Sequence, residues 1–180
     1  MFDFTELSPY FTGAGGDTIG DILQQYGTPD KLLGGLDTYG DQWVEIDYPL
    51  LTLRVTPNDS DEQRGFSFAT RENSGKKASE FPITSRDKTI SLAVVSVRTI
   101  DPKTTLPRGL AIGQSTRAQV TAVYPTGSGA SMSGSGVNAV EFSYVWFKTA
   151  DFGAVGGLVY EFDGSDILTG FTVNWFYFTP

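Results

Sequence analysis

A shift of 98 positions lays one part of this chain on another, carrying Tyr26 onto Tyr124, and that self-similarity constrains the fold more than any other feature. The segment Asp17-Thr18-Ile19-Gly20-Asp21-Ile22-Leu23-Gln24-Gln25-Tyr26 falls on Ser115-Thr116-Arg117-Ala118-Gln119-Val120-Thr121-Ala122-Val123-Tyr124. Both read as short helices. Ile19, Ile22, Leu23 and Tyr26 share one helical face, as do Val120, Val123 and Tyr124. Asp17 and Ser115 are placed to cap the first free N–H groups, and Gly27 and Pro125 to stop the helices. On this reading Tyr26 and Tyr124 anchor their helices to the sheets beneath them.

The same shift carries Trp43-Val44-Glu45-Ile46-Asp47-Tyr48 onto Glu141-Phe142-Ser143-Tyr144-Val145-Trp146. Val44, Ile46 and Tyr48 alternate as one apolar face, matched by Phe142, Tyr144 and Trp146, and period two means strand. Further strands are expected at Leu51, Leu53 and Val55, at Leu158, Tyr160 and Phe162, at Phe66 and Phe68, and at Phe171, Val173, Trp175 and Tyr177. Asp163-Gly164 signals a hairpin. The strand from Ile90 to Ile100 joins the second sheet or bridges both. Glycine-rich stretches 30–41 and 126–136, and polar stretch 70–88, read as loops. The fold class is therefore α+β, two tandem units of a short helical segment on an antiparallel sheet, spanning 1–88 and 89–180.

Composition now restricts the function. The chain has no cysteine and no histidine, which removes thiolate chemistry, the commonest general base and the commonest transition-metal ligand. A net charge of −8 disfavours nucleic acid and anionic lipid as partners. No apolar run is long enough to insert into a membrane. Asn58, Asp59, Asp61 and Glu62 do not fit a calcium loop and read as a solvated turn, as do Asp163, Ser165 and Asp166. Gly127-Ser128-Gly129 and Gly134-Ser135-Gly136 lack the strand and histidine of a nucleophile elbow. No cofactor site or metal site is expected. The remaining route to an enzyme is a carboxylate pair, with Glu141 and Glu161 as its remote candidates for a hydrolase.

The stretch Arg108-Gly109-Leu110-Ala111-Ile112-Gly113-Gln114-Ser115-Thr116-Arg117-Ala118-Gln119-Val120, ending in Tyr124-Pro125, resembles a pattern of the β-lactamase-inhibitor-protein-like superfamily, which small outer-membrane-assembly lipoproteins share. Tyr26-Gly27-Thr28-Pro29 is similar in the first copy. The resemblance implies a helix packed on an antiparallel sheet, a tandem form with a concave face for a protein partner, and a place in the bacterial envelope or exterior. The absence of cysteine departs from the inhibitor, so β-lactamase inhibition in particular is not implied.

With Val44, Ile46 and Tyr48 turned inward, the opposite face carries Trp43, Glu45, Asp47 and Arg54, and in the second copy Glu141, Val145, Phe147 and Asn174. Aromatic area beside orienting polar groups suits a protein-binding surface. A half-solvated sheet with ordinary exposed aromatics is the plainer alternative. The expected function is thus a non-enzymatic protein-binding module, with an assembly component of a larger complex as the other reading. The N-terminus lacks a signal peptide's regions. Either the chain follows a removed leader, as an envelope or extracellular place requires, or it stays in the cytoplasm.

Overall fold

The computed structural model describes residues 18–57, 65–67, 69–70, 72, 77, 83–90, 92–124, 131–135, 138–148 and 153–178, with the backbone alone at 93–94, 131–135, 143–148, 153–156 and 175–178. The fold is α+β. In chain order it runs α1 (Ile19–Tyr26), β1 (Lys31–Leu36), β2 (Gln42–Tyr48), β3 (Leu51–Pro57), β4 (Leu92–Thr99), α2 (Arg117–Val123), β5 (Ser131–Ser135), β6 (Ala139–Lys148), β7 (Gly153–Phe162) and β8 (Leu168–Phe178). Two compact units meet in sequence between Val95 and Ser96, inside β4.

Both helices begin at a threonine, one residue later than the expected caps. The Thr18 hydroxyl accepts from Asp21 N, and the Asp21 carboxylate accepts from Thr18 N, a reciprocal capping box. Hydrogen bonds from the Thr18 hydroxyl and backbone hold the Asp21 carboxyl below its ordinary pKa. Thr116 and Gln119 repeat the arrangement at α2. Ser115 instead lies buried, its hydroxyl accepting from Ala111 N, while Asp17 is outside the described residues.

In the first unit β1, β2 and β3 form an antiparallel meander, with Leu32 opposite Ile46 and Ile46 opposite Leu53. Leu32, Val44, Ile46, Leu53 and Val55 are buried, as are Ile19 and Ile22 of α1. Residues 31–36, expected as loop, are strand. Gly34 and Gly35 have poor strand propensity, but pairing with Val44 and Trp43 of β2 decides their conformation. Gly27 ends α1 at φ 82°, a conformation costly for any residue with a Cβ. Tyr26 is no core anchor: it is 42% exposed, its ring 5.7 Å from that of Tyr48. The Tyr48 hydroxyl donates to Gly27 O, and burial, with Tyr26 adding to it, pushes its pKa up.

Phe66 is buried but not in a strand. Its backbone bonds go to a side chain, for Gln42 Oε1 accepts from Phe66 N and Gln42 Nε2 donates to the carbonyls of Phe66 and Ala69. A neighbouring tie comes from Asp87, which opens a single 3-10 turn over Asp87–Thr89. Its carboxylate accepts from the N–H and hydroxyl of both Ser67 and Thr84, at 2.6 to 2.9 Å.

In the second unit the end of β4 pairs with β8, followed by β7, β6 and β5, all antiparallel. Part of the expected loop 126–136 is therefore strand β5, an edge of glycine, serine and methionine paired to β6. The expected hairpin joins β7 to β8, with Asp163 Oδ1 accepting from Ser165 N and Ile167 N. Residues 58–64, including the acidic turn, are outside the described residues. Val120 and Tyr124 are buried together with Val140, Phe142, Leu158, Tyr160, Phe171 and Val173, and Tyr124 packs on Phe142 and Tyr160. Tyr124 is 5% exposed; its ring lies 4.4 Å from Phe142, and its hydroxyl 2.6 Å from that of Tyr160. Arg108, at φ 58°, reaches the last turn of α2, donating to Val123 O with its guanidinium 4.5 Å over the Tyr124 ring.

On the opposite face of this sheet Arg98 of β4 holds Glu161 of β7 through two bonds of 2.8 and 2.6 Å, reaching past β8. Gly170 of β8 makes the span possible, since a Cβ there would lie 2.7 Å from Glu161 Oε2. The pair is partly solvated, so it contributes under about 1 kcal/mol. Gly170→Ala is expected to cost about 1 kcal/mol, because the added methyl meets the Glu161 carboxylate and the Arg98 guanidinium and must displace one of them. In a double-mutant cycle by urea denaturation, adding Glu161→Ala should recover part of the loss. Strict additivity would show that the crowding lies elsewhere.

Candidate functional site

Period-two alternation places every second residue of β2 and β3 on the side away from α1. Trp43, Glu45 and Asp47 of β2 therefore line up with Arg54 and Thr52 of β3 and with Gly35, Leu33 and Lys31 of β1. The register expected for this face is the observed one. Trp43, Glu45 and Asp47 are half-buried and Arg54 is exposed. The Arg54 guanidinium sits 4.7 Å over the Trp43 ring, a cation–π contact that holds both side chains in one arrangement. Gly35 stands directly opposite Trp43, so no side chain from β1 covers that flank of the indole.

Charge completes the surface. Asp47 lies opposite Lys31, with Oδ2 3.9 Å from Lys31 Nζ, and Glu45 lies opposite Arg54 and Leu33. Lys31 and Leu33 were missed in the sequence because β1 read as loop. The result is one aromatic ring, braced by a cation, amid two carboxylates and two cations. Such a face offers apolar area with groups on its rim that can orient a partner.

The residues expected from the second copy belong to the second unit, where the pairing register puts positions 141, 145 and 174 on one face of the sheet. Glu141 is exposed on β6 opposite Val159, and Asn174 is half-buried on β8 opposite Ser96 and Gly157. Val145 and Phe147 lie on β6 opposite Val155 and Ala154, and their side chains are outside the described residues. A register shift between them interrupts the alternation on which the placement of Phe147 rests.

The carboxylate pair considered for hydrolysis is also specified. Glu161 has both oxygens on Arg98, whereas Glu141 lies exposed on the neighbouring strand. An acid–base role for Glu161 would require release from that fork. No group of three or more acidic ligands suited to a metal ion occurs among the described residues. Among the described residues no helix is long and apolar enough to cross a membrane.

Comparison with protein families, with curated proteins and with solved structures finds no match to the chain.

Proposed function

We propose that the chain is a non-enzymatic protein-binding module of the bacterial cell envelope or exterior, built of two tandem helix-plus-sheet units, which receives a protein partner on the outer face of β1–β3. The observation that carries this reading is Trp43 held half-exposed under Arg54, with Glu45 and Asp47 following it along the same face of β2. An aromatic fixed before binding loses little side-chain entropy on contact, which is what an anchor residue needs.

Three facts support the tandem organisation. Each helix is followed in the chain by four strands, each opens on a threonine capping box, and the capping threonines stand 98 positions apart at 18 and 116. The resemblance to the β-lactamase-inhibitor-protein-like superfamily agrees with a helix packed on an antiparallel sheet and gives the envelope its place in the proposal.

The test is affinity capture from envelope and culture fluid with the wild-type chain beside a Trp43→Ala, Arg54→Glu variant, followed by titration of the purified partner. Both positions reach solvent, so the variant should keep its urea midpoint within about 1 kcal/mol of wild type. A partner bound by wild type and weakened by at least about a hundredfold in the variant is expected for a central anchor. Equal binding by both proteins would remove the face from consideration. Self-association in sedimentation, without such a partner, would favour the assembly component instead.

A further inference from the structure

The first unit contains a cleft of about 680 Å³ whose lining contradicts the charge of the chain. Its apolar wall is Leu23 from α1, Leu32 from β1, Pro29 and Ile83, and its cations are Lys31, Lys77 and Lys88. Asp30 is the one acidic residue of the described lining. With 21 acidic against 13 basic residues in the sequence, a surface region taken at random would be negative. Here the lining carries three positive charges and one negative.

Those lysines are not explained by internal pairing. Among the described residues Lys77 and Lys88 form no ion pair, and Lys31 has only Asp47 at 3.9 Å, the far limit of such a contact. Lys77 and Lys88 therefore leave positive charge in the described lining open to a bound anion. The positions are also fixed by backbone. Lys31 starts β1, Lys77 bridges to Leu33 of β1, and Lys88 lies within the turn stapled by Asp87.

We propose that this cleft binds a small amphipathic anion, its acidic head beside Lys77 and Lys88 and its apolar body against Leu23, Leu32, Pro29 and Ile83. The volume falls inside the range of small-molecule sites, about 300 to 1,000 Å³. Lysines act as point charges without the fork that selects a planar carboxylate, so carboxylate and phosphate heads both satisfy the site. The proposal is tested separately from the sheet-face reading, because its variant changes Lys77 and Lys88 and leaves Trp43 and Arg54 in place.

Decanoate and decyl phosphate, each below its micelle concentration, are the probes, and decanol is the uncharged control. Titration calorimetry on the full chain should give saturable one-to-one binding of one or both anions, with decanol at least about tenfold weaker. A Lys77→Ala, Lys88→Ala variant should lose about tenfold or more, and raising salt from roughly 0.05 to 0.5 M should weaken wild-type binding, as screening demands. Both lysines are exposed, so the variant should fold as wild type does. Amide shifts on adding the better anion should concentrate at 27–32. No binding of either anion, decanol binding equally well, an unchanged variant, or amide shifts centred elsewhere would each overturn the proposal. A preference between the two anions identifies the head group.

Discussion

Tyr124→Ala is expected to lower the stability of the chain by about 3 to 5 kcal/mol, whereas Tyr26→Ala should cost about 1 kcal/mol or less. The two tyrosines stand 98 positions apart at the ends of comparable helices, so sequence gives no reason to separate them. The structure does. Tyr124 is enclosed by Phe142 at 4.4 Å and Tyr160 at 5.8 Å, shares a buried hydroxyl contact with Tyr160, and lies under the Arg108 guanidinium. Truncation opens a cavity that strands β6 and β7 cannot close without moving backbone, and it leaves α2 held by Val120 and by Arg117, which reaches Asp166 and the Phe162 ring. Tyr26 has one ring neighbour at 5.7 Å and water around much of the rest. Its removal deletes a surface contact, with Ile19 and Ile22 still holding α1. Tyr124→Phe keeps the ring and removes the hydroxyl, and should cost about 1 kcal/mol. Urea midpoints for the three variants check the ordering. Equal losses at Tyr26 and Tyr124 would mean that α1 is anchored through its last turn after all.

That contrast marks how far the sequence could be read. Alternation located β2, β3, β6, β7, β8 and the outer-face register of Trp43, Glu45, Asp47 and Arg54, because period two is a local signal that burial on one face enforces. It missed β1 and β5. Gly34-Gly35 and the run Ser131–Ser135 carry no strand preference of their own, and their conformation comes from hydrogen bonds to β2 and β6. Phe66 failed in the opposite sense: it is apolar and buried, yet Gln42 supplies the bonds that a neighbouring strand would have given. The lysine cleft was illegible for a topological reason. Lys31 is far from Lys77 and Lys88 in the chain, and these two fall within and at the end of a polar stretch that reads as loop.

That same polar stretch hides the residue whose loss should most affect the first unit. Asp87→Asn is expected to cost about 3 kcal/mol at neutral pH, with the wild-type advantage shrinking in acid. Burial pushes the Asp87 carboxyl toward the neutral form, but the bonds from Thr84 and Ser67 outweigh it and hold its pKa below the ordinary 3.8. All four donors aim at two carboxylate oxygens, so the folded state favours the charged form. The resulting stabilisation is complete above the unfolded value of 3.8 and is lost as pH falls through the lower folded value. Asparagine has the same shape, but its amide presents N–H where Ser67 or Thr84 also donates, which leaves donors facing donors. The segment 65–69 would then keep Gln42 and lose its second tie, loosening Phe66 from the core. Urea denaturation of both proteins from pH 7 down to about 2.5 separates the causes. A gap that narrows below pH 4 assigns the loss to the ionised carboxylate. A gap of constant size would assign it to packing around the turn, and the bonds to Ser67 and Thr84 would then not be what holds that turn in place.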